Sequence, residues 1–156
     1  MTGSEAPEQV LARLGIDLPE PPAPAAAYQP FARGGGLVLT AVQLPLVDGR
    51  LPATGKLGAD LDTEAGAQLA RAAAINVLAV ARSAAGSLAA VRVVKLTVFV
   101  ASTPDFAEQH LVADGASQLL GEVLGDAGVH ARSAVGVASL PADSPVEIEA
   151  ILELGS

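Results

Sequence analysis

The stretch that decides the fold is V-R-V-V-K-L-T-V-F-V-A, residues 91–101. Apolar and polar side chains alternate at first and then give way to an apolar run, and many of the apolar residues are β-branched. This composition is typical of a strand in the interior of a sheet. Helical patterns precede and follow the stretch, so we expect an α+β domain built in layers.

Two long helices are predicted beside this strand. The first covers residues 62–83, with Asp62 or Thr63 as its N-cap and its apolar side chains on one stripe. The second covers residues 103–124, because a proline near the first turn is a common helix start. Gly115 lies inside this second pattern, and we expect it to interrupt the helix.

The remaining strands are shorter and are predicted at residues 37–42, 131–138 and 146–154. Residues 34–36 are three glycines that we interpret as a turn, because a phosphate-binding loop follows a strand and opens a helix. Asp48-Gly49 is typical of a hairpin turn. The order is therefore hairpin, helix, strand, helix and two strands, with two helices on one face of the sheet. The other face is expected to be apolar and to contact further copies of the chain.

The N-terminal part has a different character from the rest of the chain. Residues 5–14 have helical spacing of apolar side chains, with Ser4 as a candidate N-cap and Gly15 as a stop. A proline-rich stretch follows at residues 19–24 and favours an extended linker. We therefore divide the chain into a lead-in at residues 1–25 and an α+β domain at residues 26–156.

Composition excludes several functional classes. The chain has 156 residues, which favours one domain, and no cysteine, which excludes disulfide scaffolds and thiolate chemistry. Its net charge of −8 disfavours nucleic acid and anionic membranes as partners. No secretory signal and no membrane-spanning run is recognisable, so a cytoplasmic location is expected.

Candidate chemistry is concentrated in the last third of the chain. Arg132 opens a small, apolar strand, where it is either a surface ion pair or a bidentate clamp for a carboxylate. Glu147 and Glu149 fall on one face of the last strand, which is either a solvated face or a source of a functional Arg132–Glu147 pair. His110 and His130 have no metal-binding spacing and are expected to be surface or partly packed residues.

Several segments, in this order, resemble the RidA/YjgF family, also labelled endoribonuclease L-PSP. The segments are T-A-V-Q-L-P (40–45), V-K-L-T-V-F-V (94–100), D-F (105–106), A-R-S (131–133), L-P (140–141) and V-E-I-E-A (146–150). The A-R-S, L-P and E-I-E-A combination is the most specific part, and the likeness extends over residues 26–154.

The resemblance implies a chorismate-mutase-like mixed sheet with two helices on one face, assembled as a homotrimer with clefts between subunits. It implies hydrolysis of reactive imines and enamines derived from amino acids, without metal or cofactor. In that family the arginine matching Arg132 holds the substrate carboxylate, and the glutamate matching Glu147 orients the attacking water. The family's N-terminal tyrosine falls on Tyr28.

Other positions depart from the family pattern. Ala41 and Val42 replace a serine and a glycine that line the substrate cleft, so a bulkier, more apolar substrate is expected. Asp114 stands where an asparagine is common in the second helix. Ala134 replaces a small polar residue or cysteine, and Gly136 replaces a residue that is often acidic, which is expected to open space on that strand.

Two other functions remain open at this stage. The chain could be a non-catalytic module that binds a small carboxylate metabolite through Arg132, which the loss of polarity at Ala41 and Val42 favours. Ribonuclease activity rests on the family label, and it is disfavoured by the net charge of −8 and the aromatic content of 3 %.

Overall fold

The computed structural model describes residues 4–21, 23 and 27–155 and confirms the α+β class. Within these ranges it contains three α-helices and five strands, besides three short 3-10 helices. In chain order these are α1 (Pro7–Leu14), β1 (Phe31–Gly34), β2 (Leu37–Thr40), α2 (Thr63–Ala85), β3 (Val91–Ala101), α3 (Gln109–Leu124), β4 (Ala131–Val137) and β5 (Val146–Leu154).

The strands form one mixed sheet in the order β1-β2-β5-β3-β4. The β3–β4 pair is parallel and the other pairs are antiparallel. Leu96 of β3 lies opposite Arg132 of β4 and Ala150 of β5, whereas Phe99 lies opposite Glu147. Because paired residues point to the same face of a sheet, this register decides which face each candidate site residue occupies.

Helices α2 and α3 pack together and cover one face of the sheet. The Oδ1 atom of Asp62 accepts a hydrogen bond from the Ala65 N–H (2.8 Å), so Asp62, one of the two predicted candidates, is the N-cap of α2. The helices approach closely at Gly115, where an added Cβ would lie 2.0 Å from the carbonyl oxygen of Ala67. Gly115 therefore allows the helices to pack closely, and the prediction that it interrupts α3 was wrong.

Helix α1 confirms the helix predicted at residues 5–14, but it packs on the core as a third helix, where only two were expected. Its Val10 and Leu11 are buried, and it lies against α3. Ala6 rather than Ser4 occupies the N-cap, and its N–H donates to the Gln9 side chain (3.2 Å). Gly15 ends the helix in the left-handed conformation, as predicted.

Several element boundaries differ from the sequence prediction, and one strand was missed. Helix α3 begins at Gln109, because Pro104 and Asp105 form a separate turn. Strand β2 ends at Thr40, and β1 was not predicted. Gly35 and Gly36, both with positive φ, form the turn between β1 and β2, which confirms the turn interpretation. Pro19 and Pro21 lie in neither a helix nor a strand, whereas Pro22, Pro24 and the division at residues 25–26 fall outside or at the edge of the described ranges.

The second face of the sheet is not covered by any described helix. Leu39 and Val135 are 46 % and 42 % exposed on this face, and Lys95 and Glu149 lie between them. We call it the open face, and it is only partly apolar. Among residues 4–21, 23 and 27–155, no helix is long and apolar enough to cross a membrane.

Candidate active site

Arg132 lies on the helix-covered face, at the outer edge of the sheet, against α3. Its Nη1 atom donates to Asp114 Oδ1 (2.8 Å) and to Ser117 Oγ (3.1 Å), and its Nη2 atom donates to the carbonyl oxygen of His110 (3.2 Å). His110, Asp114 and Ser117 are four and three residues apart, so they lie on one stripe of α3. Strand β4 and helix α3 together hold the guanidinium, and the ion-pair alternative for Arg132 is realised with Asp114.

The three hydrogen bonds of Arg132 leave part of the guanidinium available. A guanidinium has five N–H donors. The bonds to α3 use both donors on Nη1 and one on Nη2, so Nε and the second Nη2 donor have no partner in the described part of the chain. These two nitrogens share one edge of the group, so Arg132 retains a two-pronged donor for a carboxylate.

His130 extends the polar contacts of Arg132. Its Nε2 atom lies 3.0 Å from Ser117 Oγ, and its Nδ1 atom lies 2.6 Å from the carbonyl oxygen of Gly128. Because a carbonyl only accepts, Nδ1 carries a hydrogen, and the Nε2 of the neutral ring accepts from the Ser117 hydroxyl. His130 is half-buried and His110 is exposed, which agrees with the sequence interpretation of both residues.

Glu147 lies on the open-face side of β5, where its side chain is largely buried while its carboxylate oxygens still contact solvent. It is 5 % exposed, and in residues 4–21, 23 and 27–155 its carboxylate forms neither a hydrogen bond nor an ion pair. Burial disfavours the charged form and raises the pKa of Glu147 above that of an ordinary glutamate. Glu149 projects from the same face, as the alternation of β5 predicted.

The structure does not bring Arg132 and Glu147 together within one chain. Arg132 lies opposite Leu96 on the helix-covered face, and Glu147 lies opposite Phe99 on the other face. The two residues are on β4 and β5, which are separated by β3. Within one chain, therefore, Arg132 and Glu147 do not form the pair considered from the sequence.

A cleft of about 690 Å³ lies at the β2 end of the molecule and contains three of the predicted substrate-binding residues. Tyr28, Ala41 and Val42 line it together with apolar side chains from α2 and the segment 44–47. A volume in this range is typical of pockets for small ligands. Strands β5 and β3 lie between β2 and β4, so this cleft and Arg132 are at different places in the same chain.

Two buried amides that the sequence interpretation did not assign to the site also line this cleft. Asn76 of α2 donates to the carbonyl oxygens of Leu44 (2.8 Å) and Leu46 (3.1 Å). Gln43 donates to the carbonyl oxygen of Ala41 (3.2 Å). These bonds hold the cleft segment 41–46 in place. In the sequence, Asn76 falls on the stripe of the helix predicted at residues 62–83, and nothing there marked it as a site residue.

Ala134 and Gly136 are the two positions on β4 that depart from the family pattern, and their surroundings differ. Ala134 is half-buried against the core. Gly136 does not open space, because an added Cβ would lie 2.8 Å from both Gln109 Nε2 and Ser102 Oγ. The expectation of free volume at Gly136 was therefore wrong, since neighbouring polar side chains already fill it.

Ser117 is a contact of Arg132 that the sequence interpretation missed. A usable signal was present, because Ser117 lies three residues after Asp114 and therefore on the same side of a helix. Across the described ranges, no group of three or more histidine, aspartate or glutamate side chains is arranged to hold a metal ion.

Comparisons with known proteins identify several relatives. The family described as "YjgF/chorismate mutase-like, putative endoribonuclease" matches residues 8–154. Protein TCP17 of Trypanosoma cruzi is 47 % identical over 148 residues, which cover 94 % of this chain and 92 % of that protein. The crystal structure of Atu1372 from Agrobacterium tumefaciens, a protein of unknown function, has a TM-score of 0.88 at 45 % identity and covers 95 % of this chain and 92 % of that one.

A third relative has a name that describes an enzymatic activity. The "putative reactive intermediate deaminase TdcF" of Escherichia coli K12 is 34 % identical over 128 residues, covering 80 % of this chain and 87 % of that protein. The crystal structure of E. coli TdcF with bound serine has a TM-score of 0.63 at 29 % identity, covering 88 % of this chain and 94 % of that one.

Proposed function

Since this chain belongs to the YjgF/chorismate mutase-like family, we propose that it is a hydrolytic deaminase of reactive imines and enamines derived from amino acids. It converts a 2-iminoalkanoate and water to a 2-oxoalkanoate and ammonia. The name of the relative TdcF supports this reaction class, and the serine bound to TdcF carries the α-carboxylate that a 2-imino acid also carries.

Glu147 is the single observation that carries the proposal. A largely buried carboxylate with no partner among the described residues is less favourable at this position than an apolar side chain would be. Its raised pKa brings it closer to neutral pH, where a general base and acid is most effective. Such a group is expected where a proton has to be moved.

The chemistry needs an anchor, a water molecule and a path for one proton. The free edge of Arg132 binds the substrate carboxylate. Glu147 accepts a proton from water while the water oxygen bonds to the imine carbon, and the C=N electron pair moves to nitrogen, which takes that proton from Glu147. Glu147 then accepts the hydroxyl proton of the carbinolamine and passes it to the amine nitrogen, so that the C–N bond breaks with its electron pair on nitrogen, the C=O bond forms and ammonia leaves. Water supplies the only atoms added, so no cofactor takes part.

The proposed site is completed by a second copy of the chain. Arg132 and Glu147 lie on opposite faces, and the cleft with Tyr28 lies beyond β5, so one chain alone cannot place all three around a small substrate. A homotrimer that associates through the open face, where Leu39 and Val135 are exposed, supplies the missing neighbours. Sedimentation is expected to show a trimer, and a monomer at micromolar concentration would contradict this arrangement.

The cleft indicates which substrates are preferred. Ala41 and Val42 present no side-chain hydrogen-bond donor, and Val42 is 38 % exposed. Apolar walls discriminate by only about 1–3 kcal/mol per methylene, so selectivity is broad and depends on shape. Imines of alanine, leucine and phenylalanine are compared in wild type and in the double variant Ala41→Ser, Val42→Gly. An unchanged order of preference would show that these positions do not shape the pocket.

The decisive experiment measures turnover of 2-iminopropanoate and 2-iminobutanoate generated in situ. Arg132→Lys retains the charge but not the two-pronged donor, so kcat/KM is expected to fall at least about tenfold. Glu147→Gln is expected to lower kcat. Arg13→Lys is the matched control, because Arg13 also pairs with a carboxylate (Glu5, 3.0 Å) but lies on α1. Wild-type turnover in Arg132→Lys would remove the assigned role.

A non-catalytic binding module is the alternative, and one observation favours it. Asp114 already forms an ion pair with Arg132, so the guanidinium is held in place for binding a ligand without any need for a reaction. Saturable binding of a 2-oxo acid without turnover of the imine would support this alternative.

Ribonuclease activity is the least supported function, although the family description contains that word. A net charge of −8 opposes an RNA backbone at long range. Absence of RNA binding at both low and high salt would remove it.

A further inference from the structure

We propose that Ser117 and His130 are positioning residues that hold Arg132 in its carboxylate-binding orientation, an inference that rests on the proposed function of Arg132. Four hydrogen-bonded groups connect them in series: the Gly128 carbonyl, the His130 ring, the Ser117 hydroxyl and the Arg132 guanidinium. The distances along this series are 2.6, 3.0 and 3.1 Å.

The series begins at a rigid point of the backbone. An added Cβ at Gly128 would lie 2.2 Å from the carbonyl oxygen of Leu120, so this turn is packed directly against α3. The Gly128 carbonyl is therefore fixed relative to α3. It receives the Nδ1 hydrogen of His130, which sets the orientation of the imidazole ring.

The imidazole ring of His130 sets the direction in which the Ser117 hydroxyl donates its hydrogen bond. With its hydrogen on Nδ1, the neutral ring presents the Nε2 lone pair to the Ser117 hydroxyl, so that hydroxyl donates to His130. The Ser117 oxygen keeps its lone pairs for Arg132 Nη1. Without His130, the hydroxyl is free to turn toward a backbone carbonyl of its own helix, and its lone pairs are no longer directed at Arg132.

Asp114 alone does not hold the guanidinium in a single orientation. Its side chain is 44 % exposed and contacts only Nη1 through one oxygen, and the one further bond besides that of Ser117 is the longer Nη2 contact with the His110 carbonyl (3.2 Å) at the exposed side of the group. Ser117 occupies the second Nη1 donor, and together these bonds direct the Nη1 end toward α3. The Nε edge is then presented outward in one orientation, which lowers the entropy lost on binding a carboxylate.

Two measurements test this role separately from the proposed reaction. The first is the heteronuclear ¹⁵N NOE of the Arg132 Nε–H resonance, which reports side-chain order and is assigned by its loss in Arg132→Lys. The second is the split between KM and kcat for 2-iminopropanoate. The variants are Ser117→Ala, His130→Leu and His130→Gln, in which the glutamine restores an acceptor for Ser117. Gln118→Ala is the matched control, because Gln118 is exposed beside Ser117 on α3.

Ser117→Ala and His130→Leu are expected to lower the NOE and to raise KM about fivefold to tenfold, as for the loss of one ordinary hydrogen bond, with kcat within about twofold. His130→Gln is expected to recover part of both, and Gln118→Ala is expected to change neither. An unchanged NOE in both Ser117→Ala and His130→Leu overturns the proposal. A lowered NOE in a protein whose wild type neither turns over nor binds the substrate supports the positioning role and overturns the proposed function.

Discussion

Replacing Gly115 with alanine tests the contact that sets the distance between α2 and α3. The added Cβ would lie 2.0 Å from the Ala67 carbonyl oxygen and 2.7 Å from its carbon, whereas favourable contacts are at about 3.5–4 Å. Both neighbours are backbone atoms, so no side chain can rotate away. The helices must separate, and overpacking of this kind costs about 3 kcal/mol. At about 2–4 °C per kcal/mol for a domain of this size, Tm falls by about 6–12 °C.

Gly121 provides the matched control on the same helix. An added Cβ there has nothing within 4 Å, so Gly121→Ala meets no obstacle. Alanine in a helix interior is about 0.5–1 kcal/mol more favourable than glycine, so this variant is expected to be more stable than wild type. Thermal and urea unfolding of both variants give the free energies. A Gly115→Ala variant within about 0.5 kcal/mol of wild type would refute the close-approach argument.

Three further predictions concern single side chains. Burial raises the pKa of Glu147, so the folded state loses stability as pH rises from the ordinary glutamate pKa of about 4.3 toward the raised value. Glu147→Gln is therefore expected to have a higher Tm than wild type at pH 7. A difference in Tm that persists unchanged below pH 4 would contradict this cause. Asn76→Ala leaves the Leu44 and Leu46 carbonyls without their donor and is expected to cost about 2–4 kcal/mol in urea unfolding, and a cost below about 1 kcal/mol would show that water replaces the amide. Asp62→Ala removes the N-cap of α2 and is expected to cost about 1 kcal/mol, whereas Asp62→Asn is expected to be nearly neutral.

Local sequence patterns were sufficient for the elements that carry their own signal. Strand β3 was predicted at residues 91–101, which are its observed bounds, because β-branched residues and an apolar run are properties of the segment itself. The N-cap at Asp62 and the left-handed turn at Gly35-Gly36 are likewise local. The sequence also identified Glu147 and Glu149 as neighbours on one face, because the period of a strand is two residues.

Only the tertiary structure decided the features that depend on distant partners. Strand β1 is almost entirely exposed, and only its pairing with β2 defines it. Gly115 has the same local signal as a helix-breaking glycine, and only the position of Ala67 on α2 shows why it is there. The distinction requires the partner helix, because a close approach is a property of two elements.

For the candidate site too, the sequence predicted one part and the tertiary structure decided the rest. The sequence singled out Arg132 and Glu147 as residue types suited to a carboxylate and a proton, but not the face of the sheet on which each lies. The register of β4 and β5 on β3 places them on opposite faces, and the packing of α3 on β4 places Asp114 and Ser117 against Arg132. Register and helix position are set by burial of the whole core, so residues 15 and 18 positions apart in the chain become neighbours only after folding.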